Sequence, residues 1–180
     1  MRILILALVY SVCGMYFAPS SKADYDEGIQ AIVNEDYAAA LAEFEKLAES
    51  GDRAGQYWLG IMHDYGVGIP QDHVEAMKWY ELAANQGSAG AKIQLGDTYF
   101  FGKGTPQDDI RAHMWYNLAA LQGVKFAGRI RDRVSLRMGK GEITQAKNLA
   151  RSWRPRSSED VADAYARAKA KLDQKRFSLW

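Results

Sequence analysis

The chain has 180 residues, 48% of them apolar and 12% aromatic, with 23 basic side chains against 22 acidic ones. That composition supplies one packed core of ordinary domain size and excludes a disordered or strongly charged chain. The single cysteine, Cys13, excludes a disulfide framework within the chain.

The first 23 residues stand apart from the rest. Met1-Arg2 gives a positive start, Ile3 to Ala18 is apolar except for Ser11 and Gly14, and Ser21-Lys22-Ala23 places small residues where a signal peptidase reads them. The expectation is a signal peptide over 1–23, because the apolar run is shorter than the roughly 20 residues of a membrane-spanning helix. Val12 before Cys13 fits a lipidation site poorly, and cleavage after Ala23 leaves a chain with no thiol for catalysis or metal binding. Residues 24–50 follow as a first hairpin, with Gly28, Tyr37, Ala40, Phe44 and Ala48 around a tight turn at Asn34-Glu35-Asp36.

Over 51–86 and 87–122 the sequence repeats at an offset of 36 residues. Gly51, Leu59, Gly60, Gly66, Gly68, Pro70, Asp72, Ala76, Trp79, Tyr80, Ala83, Ala84 and Gly87 recur as Gly87, Leu95, Gly96, Gly102, Gly104, Pro106, Asp108, Ala112, Trp115, Tyr116, Ala119, Ala120 and Gly123. The spacing predicts a helix A from Arg53 to about Asp64 and again from Ser88 to about Phe100, with Gly60 and Gly96 where a facing helix comes close. Gly-x-Gly-x-Pro then breaks the helix. Asp72 and Asp108 cap helix B, Glu75 completes a capping box with Asp72, and Gly87 and Gly123 end the helix where left-handed geometry is required.

These motifs, Leu-Gly-x-x-(His/Tyr)-x-x-Gly-x-Gly, then Pro-Gln-Asp, then Ala-x-x-Trp-Tyr-x-x-Ala-Ala-x-x-Gly, closely resemble the Sel-one-like repeat, a branch of the tetratricopeptide superfamily. His63 departs from it where Tyr99 keeps the usual aromatic residue. The resemblance implies an all-α fold: a short right-handed α-solenoid of helix-turn-helix repeats. It makes 24–50 a shorter tetratricopeptide-like first repeat and 123–154 a degenerate capping hairpin, in which Arg131 replaces leucine and Met138-Gly139-Lys140-Gly141 replaces the Gly-x-Gly turn. In 155–180 an extra helix from Glu159 to about Arg176, capped by Ser157 or Ser158, carries a narrow stripe of Val161, Ala164, Tyr165, Ala168 and Leu172, either to fold back on the solenoid or to meet a partner.

Charge is distributed unevenly. Residues 24–123 hold 16 acidic and 6 basic side chains, whereas 124–156 hold 2 acidic and 10 basic. Arg129, Arg133 and Arg137 recur every four residues, a spacing that places them on one helix face; such a face suits an anionic envelope polymer, lipid head groups or an acidic protein, or is a solvated face turned to the acidic repeats. In related repeats helix A lines the concave surface, and that alignment selects Tyr57, Ile61, Asp64 and Tyr65, then Ile93, Asp97, Phe100 and Phe101, as partner-binding residues. Aromatic anchors supply much of the energy at interfaces, which makes this strip the leading binding surface; the alternative is that half or more of these rings are core between neighbouring hairpins, as for Trp79, Tyr80, Trp115 and Tyr116.

His63, His73 and His113 do not recur in matching roles, the obvious carboxylates serve as caps, and no nucleophile elbow or phosphate loop is present. The expectation is therefore no enzyme activity, no cofactor, no metal and no nucleic acid. What remains is an exported adaptor that binds a protein through its repeats, periplasmic if the cell has two membranes. A small cell-wall hydrolase or carbohydrate-binding protein, and a self-associating structural subunit, are the alternatives.

Overall fold

The structure, a computed structural model, describes residues 22–177. The expected signal segment and Cys13 lie outside these residues, except that Lys22 and Ala23 open the first helix. The described chain is all-α: α1 Lys22–Val33, α2 Tyr37–Glu49, α3 Arg53–Tyr65, α4 His73–Asn85, α5 Ala89–Phe101, α6 Asp109–Leu121, α7 Lys125–Ser135, α8 Lys140–Ser152 and α9 Ser158–Phe177. Each helix packs on the next through α7, and α8 then packs on α6. The result is a solenoid of three hairpins, then α7 and α8, which both pack on α6, and then one more helix.

The repeated sequence produces repeated geometry. Asp72 accepts from the backbone N–H groups of Val74 and Glu75, and Asp108 from that of Arg111, so both aspartates cap helix B. Their own N–H groups reach back to helix A, Asp72 to the His63 carbonyl and Asp108 to the Tyr99 carbonyl, each at 2.9 Å. This corrects the expected capping box: with the Asp72 N–H already committed to His63, the Glu75 carboxylate pairs with Lys78 instead. Gly51, Gly87 and Gly123 have φ of 85°, 90° and 90°, the left-handed region that only glycine enters without cost.

Gly60 and Gly96 mark where helix B meets helix A. A Cβ on Gly60 would lie 2.6 Å from the Tyr80 ring and one on Gly96 2.5 Å from the Tyr116 ring. Tyr80 and Tyr116 are completely buried, each in its own cluster: Tyr80 with Ala83, Leu95 and Trp115, Tyr116 with Ala112 and Val134. A further cluster, built on Phe44, Leu47 and Met62, holds the first hairpin, with Phe44 stacked on Trp58 at 5.5 Å.

Beyond the cap, Trp153 packs edge-on against Trp115 at 5.7 Å and turns the chain back along the repeats. Ser157 caps α9 by accepting from the Asp160 N–H. The helix folds back onto α4 rather than standing free. Glu81 of α4 is buried and fixes it: Arg156 Nε donates to one carboxylate oxygen at 2.7 Å and the Tyr165 hydroxyl to the other at 3.0 Å.

Candidate functional site

The helix A residues singled out by sequence take two different roles. Tyr57 and Ile61 of α3 are half-buried against the central cluster, Tyr57 lying 6.2 Å from the Tyr80 ring and walled on its far side by Gly90. Ile93 of α5 packs into the cluster around Tyr116. These three side chains join neighbouring hairpins.

Asp64 is a correction of another kind. It was expected on the open face, yet it is 3% exposed. Its carboxylate receives His73 Nδ1 at 2.8 Å, the Tyr80 hydroxyl at 3.5 Å and the Lys103 ammonium at 3.4 Å. Lys103 also lies 5.3 Å from the Tyr65 ring centre, so the turn of the second repeat occupies the helix A face of the first. A buried carboxylate requires such partners, and His73 and Lys103 become visible as those partners only once the hairpins are stacked.

The second repeat lacks that plug. Between α5, α6 and α7 lies a groove of about 290 Å³ lined by Asp97, Phe100, Phe101, Tyr116, Phe126, Arg129, Ile130, Arg133 and Val134. Two surfaces read separately from the sequence, the aromatic end of α5 and the basic face of α7, are therefore the two walls of one groove. Phe101 is 65% exposed and Phe126 55%, which for large apolar side chains leaves much area uncovered. On the floor, Asp97 accepts from the Tyr116 hydroxyl at 2.6 Å. Burial raises its pKa, against the lowering effects of that hydrogen bond and of Lys103; burial, with Asp97 next to it, also raises that of Tyr116.

Arg137 does not share the face of Arg129 and Arg133. Helix α7 ends at Ser135, and the chain then turns tightly, with the Arg137 N–H bonded to the Val134 carbonyl. The side chain stacks on Phe100 at 5.0 Å and pairs with Asp109 at 3.2 Å. Phe126 and Ile130, which the sequence reading missed, sit beside Arg129 in the α7 pattern; an apolar residue exposed at a helix start in a degenerate repeat was the available signal. Gln86 and Gln122 were also missed: they recur at the repeat offset and donate to the Gly51 and Gly87 carbonyls at 2.8 and 3.1 Å, tying each loop to the one before.

A stack of helical hairpins in which each unit packs on its neighbours defines a short α-solenoid. The Sel1 repeat model matches residues 53–88 and 89–124, so the chain carries two Sel1 repeats. Among solved structures, the chain is similar to c5321, a protective antigen of uropathogenic Escherichia coli with an SLR fold, at 25% identity and a TM-score of 0.68 over 84% of this chain and 32% of that one. It is also similar to a Sel1 repeat protein from Oxalobacter formigenes, at 29% identity and a TM-score of 0.54 over 72% of this chain and 56% of the other. The chain thus spans about a third of the first structure and just over half of the second. No curated protein matches it. Sel1 repeats generally mediate protein–protein interaction, and the family is generally non-catalytic.

Proposed function

We propose that this chain is an exported, non-enzymatic adaptor that holds a protein partner in the groove between α5, α6 and α7. The observation that carries the reading is the exposure of Phe101 and Phe126 on opposite walls of that groove, beside the unfilled end of the second repeat. Apolar rings left open to water in a packed solenoid are what a partner covers on binding. Tyr65, 58% exposed, extends the surface along the first repeat, although Lys103 already stacks on it there. Export rests on the pattern of the first 23 residues, and a periplasmic location follows if the cell has two membranes.

Affinity capture from native envelope extract tests the reading, with the unaltered chain beside Phe101→Ala/Phe126→Ala and Tyr57→Ala variants of matched thermal stability. A partner held by the unaltered chain, lost by the double variant and kept by Tyr57→Ala supports the groove. A partner retained by the double variant overturns it.

A further inference from the structure

We infer that the segment held in this groove is a peptide in which one large apolar side chain is flanked by carboxylates that pair with Arg129 and Arg133; this rests on the groove being the binding surface. The positive charges around it are not equivalent. Arg131 donates to Asp132 and Asn117, Arg137 pairs with Asp109 and Arg156 with Glu81, so these three are already neutralised inside the fold. Among the described residues Arg129 and Arg133 make no ion pair, both are exposed, and both line the groove. They stand four residues apart on α7, one helical turn, which places them in a row along its edge. Arg129 lies 5.8 Å from the Phe126 ring centre, beside the apolar wall.

The floor sets the other half of the specificity. Phe100, Phe101, Ile130 and Val134 offer an apolar slot, and the Asp97 carboxylate at its base repels any anion that enters deeply. An acidic group is therefore received at the rim and an uncharged apolar side chain inside. Guanidinium pairs with carboxylate bidentately, and against an apolar wall such a pair is less screened than on open surface. A strongly polar polymer would satisfy the arginines and leave the slot empty, and a flat lipid head-group layer could not enter it.

The test is selection of random 12-residue displayed peptides on the purified chain and, in parallel, on an Arg129→Glu/Arg133→Glu variant. Recovered peptides are then made synthetically and titrated against the unaltered chain, the charge-reversed variant and Phe101→Ala/Phe126→Ala. The expected peptides carry an aromatic or long aliphatic residue within a few positions of Asp or Glu, and lose about tenfold in affinity on either variant; the charge-reversed chain selects Lys or Arg in their place. Peptides that depend on Phe101 and Phe126 but show no acidic bias overturn this inference and leave the groove standing. Peptides that bind all three proteins alike, or no recovery at all, overturn both. Two parallel measurements on the same variants identify other occupants: binding to phosphatidylglycerol vesicles, or a concentration-dependent mass, abolished by Arg129→Glu/Arg133→Glu without acidic peptide selection, overturns the inference in favour of a lipid surface or a second copy.

Discussion

Tyr116 donates to Asp97 at 2.6 Å, and its repeat equivalent Tyr80 reaches Asp64 at 3.5 Å, although Asp97 and Asp64 do not occupy equivalent positions. Residue 100, not 97, is the counterpart of residue 64, so the same buried hydroxyl is satisfied from a helix A position one turn away. The shift moves the carboxylate one turn back from the end of α5, where Phe100 stands at the position that Asp64 holds in the first repeat.

Removing the hydroxyl in Tyr116→Phe leaves Asp97 without its closest donor. The expected loss is about 1–3 kcal/mol of unfolding free energy near neutral pH, measured by urea titration. Tyr80→Phe should cost less, because its bond is longer and Asp64 keeps His73 and Lys103.

The same pair predicts a pH dependence. Asp97 holds its proton more tightly folded than unfolded, so its contribution to stability is full below the ordinary carboxylate pKa of 3.8 and is lost as pH rises through its raised folded value. Asp97→Asn should remove that part of the decline, and Tyr116→Phe, which deletes a bond that lowers the pKa, should extend it to higher pH. Urea unfolding of the three proteins across the mildly acidic range checks both.

Glycines at the helix A and helix B crossing should tolerate nothing larger. A methyl group on Gly96 meets the buried Tyr116 ring at 2.5 Å, so Gly96→Ala is expected to cost about 1–3 kcal/mol through overpacking. In Gly128→Ala the new methyl lies 3.8 Å from Ala120, an ordinary contact, and helix propensity should stabilise α7 by up to about 1 kcal/mol. Thermal unfolding of the two variants should shift in opposite directions.

Glu81 latches the C-terminal helix. In Glu81→Ala, Arg156 and Tyr165 lose their shared acceptor, and amide exchange over residues 158–165 should accelerate by about tenfold or more while α5 and α6 keep their protection. Unchanged exchange over α9 would show that Val161, fully buried, holds the helix without Glu81.

Much of this architecture was legible because the repeat writes it twice. Gly60 with Gly96, Asp72 with Asp108 and Gly87 with Gly123 each name a backbone requirement: helix B begins after each aspartate and ends just before Gly87 and Gly123, while Gly60 and Gly96 sit mid-helix where the two helices cross. Pairings between hairpins were not legible. Asp64 and His73 are nine residues apart, and Lys103 comes from the next unit, so nothing local marks the three as one buried cluster. The turn after α7 also escaped: a four-residue spacing put Arg137 in line with Arg133, but the helix stops two residues short of it. The aromatic and basic surfaces were each visible in the sequence; their meeting in one groove depended on how α7 stacks beside α5.

Site-specific photo-crosslinking in living cells tests the groove most directly, with a photoreactive phenylalanine analogue at Phe101, at Phe126 and, as a control on an exposed face elsewhere, at Leu149. A discrete adduct to the same protein from both groove positions, absent from Leu149, is the expected result. Adducts from Leu149 with none from Phe101 or Phe126 would contradict it and move the binding surface to another face of the solenoid.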